Sequence, residues 1–214
     1  MELKDFEIEL ERIIGRPSSL RPFVCDGSPL PCQAFIVGLN PATKMPRGWW
    51  AYWSPDSGFR KAAWFDDYVR ERQEAPLKPG KTRRQRVSAT RRVIEAVVNA
   101  ALPVRCLETN IYAAEAPESI DLRAQQRLTA PFDFLLRAIR PRVVVAHGDD
   151  AIEHLARLTG TRISWGNEAI AGYSGHTFHL IAVAHFARPR AGQGWSGGRA
   201  AELGHRIRSL AEGS

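Results

Sequence analysis

Four polar positions suited to chemistry each lie at the end of a stretch that reads as a strand: Asn40-Pro41, Thr109-Asn110, His147-Gly148 and His185. A carboxamide oxygen such as that of Asn40 accepts a hydrogen bond from water without carrying charge. It is a weak base, so it orients the water more than it deprotonates it. That suffices where the scissile bond is already dissociating and leaves an electrophilic carbon. The amide of Asn110 offers a donor and an acceptor together, which complements a ring N–H beside a carbonyl. Each amide has a competing local role. Asn-Pro closes a strand as a turn, and a strand-terminal Asn bonds its own backbone. A neutral imidazole at His185, held in a dry pocket, stabilises an oxygen that gains negative charge.

His176, His179 and His185 raise the alternative of a metal-dependent hydrolase. On a strand, His-x-x-His points its two rings to opposite faces, so they cannot easily share a metal. The stretch 176–185 also lacks Asp or Glu to complete a ligand set.

The elements that must position these residues follow from hydrophobic patterning. Residues 33–39, 104–112, 142–147 and 177–184 read as buried strands. Helical periods cover 2–14, 59–72, 83–101, about 122–139 and about 199–211, and Asp149-Asp150 opens a further helix after Gly148. Pro17, Pro22, Pro29 and Pro31 break the lead-in, and residues 74–82 form a breaker-rich linker. Strands alternating with helices predict a three-layer α/β/α sandwich around a central parallel sheet of four strands. Ligands of such sheets bind beyond the carboxyl ends of the strands. All four polar positions fall there, beside the loop 42–58 with Trp49, Trp50, Tyr52 and Trp53.

The 214 residues predict one domain over 1–214, with residues 1–32 an N-terminal helix and Pro-rich lead-in. Hydrophobic residues at 44% and charged residues at 25% exclude a mainly disordered or collagen-like chain. No apolar run approaches the roughly 20 residues of a membrane span, and the acidic start does not read as a signal peptide. Cys25, Cys32 and Cys106 are expected as reduced thiols of a cytoplasmic protein. Three cysteines cannot furnish an ordinary iron–sulfur cluster. The net charge is +7, and Arg supplies 25 of the 30 basic residues. Arg forks pair with phosphate in a bidentate way, so nucleic acid is a plausible partner; a GC-rich coding bias gives the same composition.

Gly38-Leu39-Asn40-Pro41 resembles the first motif of the uracil-DNA glycosylase superfamily, nearest to its mismatch-specific thymine/uracil branch. Ala184-His185-Phe186-Ala187-Arg188-Pro189 is similar to the second motif, the His-Pro-Ser loop after the last strand. Glu108-Thr109-Asn110 resembles the Thr-Asn of several branches, and Val143–His147 with Gly148 looks like the family's Val-rich strand. The likeness spans about residues 33–210. It implies a monomeric enzyme that flips a damaged or mismatched base out of DNA and hydrolyses its N-glycosidic bond, with no metal and no organic cofactor.

The resemblance implies that Asn40 and His185 are catalytic, with Gly38, Leu39, Pro41 and Asn110 around the base. Tyr52, twelve positions after Asn40, falls where the family stacks the base; Trp49, Trp50, Trp53 and Phe59 compete for that role. Phe186 and Ala187 replace the family's Pro and Ser, which removes a hydroxyl expected on a DNA phosphate. Arg188 and Arg190 are candidates to replace that contact, and Arg188 or Phe186 to fill the gap left by the base. Arg83 and Arg84, with Arg86, track phosphate or form a solvated helix face. The same departures fit an inactive member of the fold that only binds DNA or RNA.

Overall fold

A computed structural model describes residues 1–77, 80, 82–117, 119–188 and 194–213. The chain runs α1 (Leu3–Ile14), β1 (Phe23–Val24), β2 (Ala34–Gly38), a 3-10 turn (Trp49–Tyr52), β3 (Trp53–Ser54), β4 (Gly58–Phe59), α2 (Lys61–Glu74), α3 (Ala89–Ala101) and β5 (Cys106–Asn110). Two short 3-10 turns then precede α4 (Ala130–Ile139), β6 (Val143–His147), α5 (Asp149–Thr159), β7 (Glu168–Tyr173), β8 (His176–Val183) and α6 (Gly197–Glu212).

The main sheet has the order β1-β5-β2-β6-β8-β7. The four expected strands are its middle, β5-β2-β6-β8, all parallel. The expectation of four strands is corrected to six among the described residues, because short antiparallel strands cap both edges. β1 lies within the stretch read as Pro-rich lead-in. β7 escapes notice because five of its six residues are exposed or half-buried, so it carries no apolar run. It forms a hairpin with β8 around Ser174-Gly175, both at positive φ, as a two-residue hairpin turn requires.

Alternation along the strands explains why both sheet faces are buried. Phe35, Val37, Leu107, Val144 and Leu180 join one core with Phe6 and Leu10 of α1, Phe134 and Leu135 of α4 and Leu155 of α5. Ala34, Ile36, Cys106, Val143, Val145 and Ile181 join the other with Val97 and Ala101 of α3 and Ile207 of α6. The three cysteines are free and buried.

Two helix boundaries differ from the periodic reading. α3 starts at Ala89 rather than 83, because Ser88 caps it: Arg91 N–H donates to the Ser88 hydroxyl at 3.1 Å. Arg83, Arg84 and Arg86 therefore precede the helix instead of opening it. α4 starts at Ala130 rather than 122, with Pro131 in its first turn, where a missing N–H is harmless.

Candidate functional site at the carboxyl edge of the sheet

Register places the polar residues in one row. Gly38 pairs with Asn110 across β2 and β5, and His147 pairs with Val183 across β6 and β8. Val37 lies opposite Ala146, so Gly38 and His147 are level. Asn40 and His185 each follow two residues beyond that row.

Gly38 is the hinge of the arrangement. A Cβ there would lie 2.8 Å from Asn110 Oδ1 and 2.9 Å from His147 Nε2, so two polar atoms converge where a side chain would stand. Neither the Asn110 carboxamide nor the His147 ring has a hydrogen bond among the described residues, and His147 Nδ1 is buried without a partner. His147 is 7% exposed. Its ring stacks on Phe186 at 4.3 Å between centroids and meets the His185 ring edge-on at 5.4 Å. Burial, with a smaller contribution from His185, pulls the His147 pKa down to about 3, so the ring stays neutral at physiological pH.

His185 has a defined tautomer. The backbone N–H groups of Ala187 and Arg188 both donate to its Nδ1 at 3.1 Å. That lone pair is therefore occupied, and the neutral ring carries its proton on Nε2. The loop after β8 thus presents an N–H donor at the sheet edge, the group an oxyanion needs.

Asn40 is clamped through its nitrogen. Nδ2 donates to Ala116 O at 2.8 Å and to Pro41 O at 3.3 Å, and Ala116 N–H returns a bond to Pro41 O at 2.9 Å. Asn40 Oδ1 accepts no hydrogen bond from the described residues, which leaves it as an acceptor for water. Pro41 is buried and Leu39 half-buried in the same turn.

Tyr52 stands apart from this group. It is 1% exposed, its hydroxyl donates to Asp67 Oδ2 at 2.8 Å, and the Arg47 guanidinium lies 4.9 Å from the ring centre. Burial and the Asp67 carboxylate push its pKa up to about 12. The ring belongs to the aromatic core with Trp49, Trp53, Phe59 and Trp64. Of the four residues expected around one slot, Tyr52 alone lines the cavity of about 320 Å³ between residues 17–21, residues 44–48 and Glu115. Asn110 and His185 gather instead around His147. Wider hollows of about 540 and 750 Å³ run along α5, and none of Asn40, Asn110, His147 or His185 lines them.

The residues expected on DNA divide similarly. Phe186 is 2% exposed and packs between His147 and Trp195. It supports the imidazole from within and does not project as a wedge. Arg188 and Arg83 are exposed; half-buried Arg84 donates to Pro76 O. Arg190 lies outside the described residues. Among the described residues no group of three or more His, Cys, Asp or Glu is placed to hold a metal, and no helix is long and apolar enough to cross a membrane.

His147 is the site residue that the sequence reading noticed without assigning a role. Its signal was its place, since it ends a buried Val run at the same edge as Asn110 and His185. No protein-family model matches the chain, and no curated protein matches it.

Proposed function

We propose that this protein is a DNA glycosylase-like hydrolase that removes uracil or a related damaged or mismatched base. The observation that carries the reading is the convergence of Asn110 and His147 over Gly38, with His185 in edge contact and its proton fixed on Nε2. Helices α1, α4 and α5 against one core and α3 and α6 against the other support the three-layer α/β/α sandwich, with the four parallel strands as its middle.

The proposed chemistry needs few groups. The flipped base is held through its polar edge by Asn110. The glycosidic C–N bond breaks and its electron pair stays on the base. The Nε2–H of His185 stabilises the carbonyl oxygen on which that charge collects. Asn40 Oδ1 holds the water whose oxygen bonds to the anomeric carbon, and the water's proton passes to solvent or to the departing base. His147 stays uncharged beside His185, so it does not repel a positive charge that develops on the sugar.

The test is incubation with uracil-, G·T- and hypoxanthine-containing oligonucleotides, followed by alkaline cleavage of abasic sites. Strand scission on one of them is the expected result. Asn40→Ala and His185→Ala are expected to lower the rate roughly 10²–10³-fold, the usual effect of losing one such group. A folded protein that cleaves none of the three substrates overturns the enzyme reading. Salt-dependent DNA binding without base release would then favour an inactive binding member of the fold, to which the loss of a hydroxyl at Ala187 already points.

A further inference from the structure

The cavity beside Asn40 is lined by two largely buried charged groups, Arg21 and Glu115, that the chemistry above does not use, together with the exposed Lys44 and Arg47. Its volume of about 320 Å³ lies at the lower end of the roughly 300–1,000 Å³ of small-molecule sites. That suits one flat heterocycle rather than an extended cofactor. Trp49, Tyr52, Trp64 and Met45 contribute apolar lining, and Arg21 and Glu115 the buried charge. Ala116, next to Glu115, is the residue that fixes the Asn40 amide, so the cavity adjoins the turn at the end of β2.

Arg21 and Glu115 are poorly satisfied for groups so enclosed. Their side chains are only 12% and 18% exposed, yet the closest approach between them, Nη1 to Oε1, is 3.6 Å. That is attraction without a direct hydrogen bond. Arg21 Nη1 donates to Thr43 O at 3.3 Å, and Glu115 Oε2 accepts from Met45 N–H at 3.3 Å. Both bonds are near the long limit. Burial lowers Arg21 to about 10 and raises Glu115 in spite of their mutual attraction. The charges therefore compensate each other incompletely. An occupant that gives an N–H to the carboxylate and an oxygen to the guanidinium relieves both.

We propose that this cavity binds the lactam or imide edge of a planar heterocycle, with Glu115 accepting from a ring N–H and Arg21 donating to the adjacent carbonyl. The proposal rests on the base-flipping reading in one respect, that the ring is a nucleobase. Arg21 and Glu115 then select a base at a place separate from Asn110, which does not line this cavity: in a nucleotide, uracil and hypoxanthine present one N–H next to a carbonyl, and a base methylated at that nitrogen does not.

The test titrates the unmodified protein with 1-methyluracil, hypoxanthine and 1,3-dimethyluracil and follows tryptophan fluorescence, since Trp49 and Trp64 line the cavity. Saturable binding of 1-methyluracil or hypoxanthine is expected, weakened at least tenfold by the additional N3-methylation and comparably in Glu115→Gln. Equal binding of 1-methyluracil and 1,3-dimethyluracil overturns the proposal. So does the absence of any base binding, which needs no variant to establish. Base binding with this selectivity but no strand scission upholds the cavity and overturns the enzyme reading. Strand scission by Glu115→Gln with an unchanged KM, together with no free-base binding, overturns the cavity and leaves the enzyme reading standing.

Discussion

His147 shows how one side chain can be fixed in charge by its surroundings. It sits between Phe186, Gly38 and His185 with no carboxylate among these neighbours, so nothing repays the cost of charging it. Its pKa near 3 in the folded protein compares with about 6.5 in an unfolded chain. Between those values the unfolded state binds a proton that the folded state refuses. The contribution is therefore fully present above pH 6.5 and is lost as pH falls toward 3, with a slope approaching about 1.4 kcal/mol per pH unit. His154, whose pKa burial also lowers, contributes in the same direction. Urea midpoints measured from pH 7.5 down to 4.5 should fall steadily for the unmodified protein. In His147→Phe the fall should be shallower, because the aromatic shape is kept and the titration removed. Parallel curves would mean that His147 takes up its proton without resistance.

Among the elements, what could be read from sequence was whatever depended on burial. β2 and β6 are nearly continuous apolar runs because both their faces are covered, and β5 and β8 are largely buried strands that mix apolar with polar residues; the carboxyl ends of all four carried the candidate polar groups. β7 was hidden because an edge strand with one buried residue, Ala171, has no such pattern. Ser174-Gly175 was the one local sign of its hairpin. The site was legible as a row, Asn40, Asn110 and His185, since strand ends follow from strands. The place of Tyr52 was not legible. Spacing counts residues along a loop and does not say whether a ring turns into the core, and here the Asp67 carboxylate draws its hydroxyl inward. The packing of α6 on α3 was equally silent. A Cβ on Gly204 would stand 2.5 Å from Val97 O and 2.6 Å from the Ala100 Cβ, both rigid parts of α3. Gly204→Ala therefore forces the helices apart, despite the better helix propensity of Ala. A loss of about 1–3 kcal/mol is expected from such overpacking, read as a lower urea midpoint with an unchanged m-value. A neutral or stabilising effect would show that α6 can shift without penalty.

For the whole molecule, the question is whether the positive charge faces the candidate site. α1 takes four of the 23 acidic residues against two basic ones, which leaves the rest of the chain more basic than its net +7 implies. The loops beyond the carboxyl ends of β2, β5 and β8 hold exposed Lys44, Arg47, Arg123, Arg127 and Arg188. Arg47 is committed to Asp67 by a hydrogen bond of 2.6 Å, and a phosphate would have to compete for it. If these loops track a DNA backbone, four or five phosphates are neutralised. The logarithm of the binding constant should then fall against the logarithm of salt concentration with a slope of roughly −4 to −5. Arg123→Ala or Arg188→Ala should each make that slope shallower by about one and weaken binding to all sequences alike, because a phosphate contact positions and does not specify. Substituting Arg12 on α1, where the Glu9 carboxylate already pairs with it, should leave the slope unchanged. A slope near zero, or one that responds equally to Arg12 and Arg188, would show that the charge solvates the surface at large and that no nucleic acid runs along the strand ends.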